Sequence, residues 1–255
     1  MNHTSHSDII AIIPARGGSK SIPRKNIRLL NGIPLIVYSI EAALQSKYIS
    51  RIIVSTDDVT IAEIARDRGA ETPFLRPSHL ADDDTTDLPV FRHALDFLSE
   101  KENFRPELIV QLRPTSPFRP PGIIDNAIEL ILANPLADSI RCVTPAGENP
   151  FKMWRIEQGR LLPLLHSDIS EPYNMPRQHL PETFWQTGLV EVIRHQTITR
   201  KLSMTGEVIL PVLVPHEYAV DIDNDFQWQW AELILSHGNL NLILPSTKQE
   251  RRQHN

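Results

Sequence analysis

The stretch Ile9–Asn26, IIAIIPARGGSKSIPRKN, constrains the fold of this chain more than any other. It opens on Ile9, Ile10, Ala11, Ile12 and Ile13 with no polar interruption. A run so short and continuous belongs to a strand covered on both faces, as in parallel sheets of α/β proteins. Pro14 cannot donate to a sheet ladder, so the strand is expected over Asp8–Ile13. The loop Ala15–Asn26 follows, with Arg16, Lys20, Arg24 and Lys25 on it and Arg28 just beyond. Cations this dense call for an anion. The formal net charge of the chain is -5, so the basic patch is local and implies a small anionic ligand rather than nucleic acid.

The loop matches neither GxxxxGK[ST] nor GxGxxG. Gly17 and Gly18 would let backbone N–H groups come close to phosphate oxygens. Lys20 and Lys25 can neutralise charge that shifts onto a leaving pyrophosphate. Arg16 and Asn26 offer fixed hydrogen-bonding groups for phosphate or base. A nucleoside triphosphate is therefore expected here, outside the carboxyl end of the first strand, where open α/β sheets bind ligands.

The rest of the chain supports such a sheet. Helical spacing of Ile36, Ile40, Ala43 and Leu44 predicts a helix over Pro34–Gln45. Arg51–Ser55 reads as the second strand, and Thr56 or Asp57 as the cap of a helix closed by Gly69. Asp82–Asp84 and Asp87 precede a helix with Phe91, Leu95 and Leu98, where the helix dipole alone explains the acids. Glu107–Leu112 is a third apolar strand, Gly122–Asn134 a helix, and Ser139–Val143 a fourth strand. This alternation predicts a mainly parallel, doubly wound sheet. It breaks over 145–181, a proline-rich polar stretch without a period, expected to extend from the core as a lid or a dimer contact. Strands are expected again at Leu189–Ile193, Ile209–Val214 and Tyr218–Ile222, and a last helix over Phe226–Ser236. One domain over 8–236 is expected, with flexible tails at 1–7 and 247–255.

Two further constellations carry polar chemistry. Arg113-Pro114-Thr115-Ser116-Pro117-Phe118-Arg119 follows an apolar strand and suits either recognition of a polar ligand or a rigid turn with a helix cap. Asp221 and Asp223, two apart on an expected strand, would share one face. Side by side they repel unless a cation joins them, and Mg²⁺ held by one or two carboxylates plus substrate phosphates fits a triphosphate site. The histidines form no metal pattern. Cys142, the one cysteine, excludes an internal disulfide and reads as a buried, inert thiol. No apolar run approaches the roughly 20 residues that span a bilayer, and the polar N-terminus lacks the apolar core of a signal peptide. A cytoplasmic protein without a membrane partner is expected.

In this order, IIPARGGSKSIPRKN, RIIVSTDD, the LRP of Leu75–Pro77, LRPTSPFR, MPRQHLPE at Met175–Glu182 and VDID at Val220–Asp223 resemble the acylneuraminate cytidylyltransferase family, over about Asp8 to Leu235. The resemblance implies a Rossmann-like nucleotidyltransferase with a protruding dimerisation segment, hence a homodimer. It implies transfer of CMP from CTP to the anomeric hydroxyl of an acidic keto-sugar, using Mg²⁺. By matching position, Arg16, Ser19, Lys20, Lys25, Asn26 and Arg76 resemble the nucleotide-binding residues, with Gly17 and Gly18 beside them. Arg16, Lys20 and Lys25 are the expected catalytic cations, Arg177 resembles the sugar-side arginine, and Asp221 and Asp223 resemble the metal ligands. Three positions depart from the family pattern: Arg113 stands for a glutamine, Trp185-Gln186-Thr187-Gly188 for RxNG, and Ser21 for a glycine. The first two lie where the family recognises the sugar, so Arg113, Gln186 and Thr187 are expected there with Arg177. Alternatives are transfer of another nucleotide, such as a guanylyl group, to a sugar 1-phosphate, or a catalytically silent nucleotide-binding protein.

Overall fold

A computed structural model describes residues 8–246; the tails expected to be flexible, 1–7 and 247–255, lie outside the described residues. The first half runs β1 (Ile9–Pro14), β2 (Leu29–Leu30), β3 (Ile33–Pro34), α1 (Leu35–Leu44), β4 (Arg51–Ser55), α2 (Val59–Asp67), α3 (Asp87–Glu102), β5 (Leu108–Gln111), α4 (Ile123–Ala133) and β6 (Ser139–Pro145). The second half adds β7 (Trp154–Glu157), β8 (Arg160–Pro163), β9 (Phe184–Arg194), α5 (His195–Thr199), β10 (Ile209–Leu213) and α6 (Asp225–His237).

Six strands form one sheet in the order β10-β6-β9-β5-β1-β4. β1 lies parallel to β4 and β5, and β10 parallel to β6. β9 runs antiparallel between β5 and β6. Successive residues of β1 enter different cores because side chains alternate along a strand. Ile9, Ala11 and Ile13 pack with α1, α2, α4 and α6, whereas Ile10 and Ile12 pack with α3 and α5. The uninterrupted apolar run is thus explained by cover on both faces, and the fold is a Rossmann-like α/β sheet.

Several expected elements change. No strand forms over Tyr218–Ile222. A 3-10 turn at His216–Tyr218 is followed by irregular chain, and the Ile222 N–H donates to Thr115 O at 2.8 Å rather than to a sheet neighbour. The β9 strand is longer than Leu189–Ile193, because Phe184–Gln186 also pair with β6 beyond a register shift. The stretch 145–181 is not wholly irregular: β7 and β8 form an exposed hairpin between short turns. The cap of α2 is Asp58, neither Thr56 nor Asp57; its Oδ1 accepts from the Thr60 and Ile61 N–H groups. The last helix is capped by Asn224 in a capping box with Gln227, leaving Asp225 to pair with Arg28.

Candidate active site

The cationic loop is fixed from beneath by the end of β4. Ala15 N–H donates to Ser55 O at 3.0 Å, and Gly17 N–H donates to Asp57 Oδ1 at 2.8 Å. The Gly17 amide is therefore occupied by a carboxylate and is not free for phosphate. A Cβ on Gly17 would stand 2.8 Å from Asp58 Cβ, so the residue is bare to let the loop close on α2. The Asn26 side chain donates to Arg16 O at 2.8 Å, and Ile22 fills the space under the loop. Gly17 and Asn26 hold the loop's shape, while Arg16, Gly18, Ser19, Lys20 and Lys25 line a cavity of about 400 Å³. Asn26 also reaches its wall.

Arg76 lines the same cavity from within the protein. Its guanidinium donates to Ser55 Oγ at 3.1 Å, to Ser55 O, and to Leu80 O at 3.3 Å. Burial lowers its pKa, and the field of Asp57 partly restores it. Arg76 thereby ties the loop Ser78–Thr86 to β4. From that loop Asp83 pairs with Arg16 at 2.6 Å and with Lys20.

The segment 221–223 joins the cavity beside Lys25. Lys25 Nζ donates to Ile222 O at 3.0 Å and to Asp223 Oδ1 at 2.9 Å. Asp223 is exposed beside the cavity, and Asp221 is set behind it in the protein. Burial, opposed by a hydrogen bond from Thr115 and aided by the charge of Asp223, raises the Asp221 pKa. Asp221 Oδ1 is buried with no hydrogen-bond partner. The pair does not owe its proximity to strand alternation, since the strand is absent. A buried carboxylate oxygen without a donor beside a second carboxylate is nevertheless a fit for a divalent cation. Among the described residues no three His, Cys, Asp or Glu side chains converge on one such point. Two carboxylates with the remaining positions left to phosphate and water is the arrangement Mg²⁺ accepts.

The expected sugar-side residues do not all meet. Arg113 lines the cavity, donating from Nη2 to Asp87 Oδ2 at 2.5 Å, with Nε 3.5 Å from Glu191 Oε1. Glu191 is buried, pairs with Arg141, and accepts from Gln186 Nε2 at 2.6 Å. Gln186 and Thr187 stand outside the cavity: the one serves Glu191, and the other, 2% exposed, donates to Cys142 O at 3.2 Å. Arg177 also lies outside it, donating to Ala146 O at 2.6 Å within the extension. Gly188 has φ +70°, and a Cβ there would stand 2.9 Å from Ser116 Oγ and 3.1 Å from Arg113 Cδ. Its bareness lets Arg113 lie across β9. Arg119 is fully buried, donating to Leu189 O, Ser39 Oγ and Arg113 O at 2.7, 3.1 and 2.8 Å. Burial pushes its pKa down to about 9. It pins the loop and takes no ligand.

The acids of the site escape sequence reasoning. Asp57, Asp83, Asp87 and Glu191 answer the cations, yet Asp83 and Asp87 read as helix-start residues and Glu191 as one polar residue in an apolar strand. The clearest signal was Glu191, a charge at a position flanked by Val190 and Val192. Cys142 is buried as expected, and burial pushes its thiol up to about 12. Among the described residues no helix is long and apolar enough to cross a membrane.

A sequence profile described as "Cytidylyltransferase" matches residues 10–155. The chain is 34% identical to the CMP-N,N'-diacetyllegionaminic acid synthase of Legionella pneumophila, over 89% of this chain and 96% of that protein. It is 30% identical to the post-translational flagellin modification protein B of Campylobacter coli, over 92% and 97% of the two chains. A solved CMP:2-keto-3-deoxy-manno-octonic acid synthetase complexed with CTP shares the fold, with a TM-score of 0.66 at 15% identity over 91% of this chain and all of that one.

Proposed function

The chain belongs to the cytidylyltransferase family and is a nucleotidyltransferase, and on that premise we propose that it transfers CMP from CTP to the anomeric hydroxyl of an acidic keto-sugar, a sialic or other nonulosonic acid. The observation that carries this reading is one cavity whose lining brings Arg16, Lys20 and Lys25 together with Asp223, which is backed by Asp221. The relative from Legionella, named for synthesis of a CMP-linked acidic sugar, supports the acceptor class.

The acceptor oxygen bonds to the α-phosphorus, the bond to the β-phosphate breaks, and pyrophosphate leaves with the electron pair; the hydroxyl proton passes to solvent. Such a displacement asks the protein for positioning and charge stabilisation rather than covalent chemistry. Lys20 and Lys25 stabilise the leaving pyrophosphate, and Arg16, Ser19, Asn26 and Arg76 orient the nucleotide. Asp221 and Asp223 would hold Mg²⁺, which when bound lowers the pKa of the acceptor hydroxyl and screens the phosphates. Arg113, on the cavity wall and held by Asp87 and Glu191, would meet the acceptor.

The exposed β7–β8 hairpin, with Trp154, Ile156 and Leu161 at its surface, supports a homodimer formed through 145–181. A single buried cysteine supports a reducing, cytoplasmic setting. Pyrophosphate release is to be assayed with each of the four NTPs against acidic keto-sugars and sugar 1-phosphates. Turnover is expected with CTP and an acidic keto-sugar, lost in EDTA and restored by Mg²⁺. Turnover of GTP with a sugar 1-phosphate but not of CTP overturns the proposal, as does nucleotide binding with no release for any pair.

A further inference from the structure

The loop Ser78–Thr86 reaches the phosphate-facing cations through one side chain. Arg16 Nη2 lies 2.6 Å from Asp83 Oδ1, Lys20 Nζ pairs with Asp83 Oδ2, and Arg16 Nη1 donates to Ala81 O at 3.4 Å. One carboxylate thus engages two cations with both its oxygens. Lys20, and after it Arg16, holds the Asp83 carboxyl below its usual range. The dipole of α3 does not explain this placement, because the acidic residue of its first turn is Asp87.

We propose that Asp83 is a built-in competitor of the triphosphate, occupying the Arg16–Lys20 subsite until phosphate displaces it and so setting the nucleotide affinity. The inference rests on the reading that these two cations take the triphosphate. The contact is suited to exchange, because Lys20 is 84% and Asp83 33% exposed on their side chains. A solvated pair is weakly held and separates readily, whereas a buried one would lock the site. A triphosphate brings more negative charge than one carboxylate and wins the cations by Coulomb attraction. The loop carries its own turns, with Leu80 N–H on Pro77 O and Thr85 N–H on Asp82 O. With the loop so held, and tied to β4 through Arg76, the exchange asks only the Asp83 side chain to turn to another rotamer.

The test uses inorganic tripolyphosphate with EDTA, so that neither CTP nor an acceptor nor a metal enters. Calorimetric titration compares the full chain with its Asp83→Asn and Asp84→Asn variants, which remove the same charge from the same loop. Asp83→Asn is expected to bind roughly three- to fivefold more tightly than wild type, the scale of an exposed ion pair. Asp84→Asn is expected to match wild type. Equal or weaker binding by Asp83→Asn, the same gain in Asp84→Asn, or no binding by any of the three overturns the inference. A gain in Asp83→Asn in a protein that turns over no CTP supports the competitor and overturns only the proposed activity.

Discussion

Asp57 and Lys25 show how single side chains of this site divide into those that shape it and those that act on charge. The Asp57 carboxylate accepts the Gly17 N–H at 2.8 Å, a bond that needs an oxygen and not a charge. Asp57→Ala is expected to weaken CTP binding roughly fivefold, the net worth of one hydrogen bond. Asp57→Asn keeps the acceptor and is expected to bind as wild type in equilibrium titration; equal losses in both variants would assign Asp57 to the balance of Arg76 instead. Lys25 is held before reaction by Ile222 O and Asp223. In the proposed reaction its ammonium meets charge that grows as pyrophosphate departs, so Lys25→Ala is expected to lower kcat by roughly a hundredfold. The nucleotide KM is expected to move much less. A change confined to KM would make Lys25 a ground-state binder.

Among the elements, the loop after β5 illustrates a sequence pattern whose parts have separate duties. Arg113 faces the cavity, Ser116 donates to Thr187 O at 3.1 Å, and Arg119 is sealed beneath with three acceptors. Replacing Arg119 by Met removes the side-chain donor from the Leu189 carbonyl and from Ser39 Oγ in the core, while the Arg113 carbonyl keeps the Ser116 N–H. Urea unfolding is expected to show a loss of about 3 kcal/mol, and a loss under about 1 kcal/mol would remove Arg119 as the pin. From the sequence, RPTSPFR was equally a ligand loop or a rigid turn with a helix cap; the structure shows the pinned turn, with Arg113 on the cavity wall and α4 starting after Gly122 without a side-chain cap. Helices α1, α3, α4 and α6 were legible because periodicity and caps act within a few residues. The expected strand over Tyr218–Ile222 failed because the N–H groups of Tyr218, Ala219 and Val220 close local turns and that of Ile222 goes to Thr115 O, and a distant loop leaves no local trace.

At the scale of the whole molecule, stability and assembly draw on parts remote from the cavity. Asp138, in the turn before β6, accepts from Lys201 Nζ and from the Glu207 and Val208 N–H groups. The Lys201 ammonium, then the Glu207 N–H, holds its carboxyl far below the ordinary range. A depressed carboxylate contributes stability that is complete above the unfolded value of about 3.9 and fades as pH falls toward the folded one. Asp138→Asn is expected to be less stable near neutrality and to lose less on acidification, read from unfolding free energies between about pH 6 and pH 3. Parallel acid limbs in the two proteins would deny the linkage. For assembly, Ile156 on the hairpin is 75% exposed. In the proposed homodimer, Ile156→Asp is expected to halve the mass found by sedimentation equilibrium; an unchanged mass would count against a dimer formed through this hairpin.

The sequence by itself determined the buried first strand and the cations on the loop that follows it, because both are written in consecutive residues. It also determined the alternation of strands and helices, a local periodicity imposed by backbone geometry. The tertiary structure alone decided which acids answer those cations. Asp57 lies 40 residues from Gly17, and Asp223 lies 198 residues from Lys25. Only the order of strands in the sheet carries their loops to one edge, where like charges must be separated and opposite ones met. That same edge turned Gly17 from a phosphate donor into a partner of Asp57, and placed Asp83 where the triphosphate is proposed to bind.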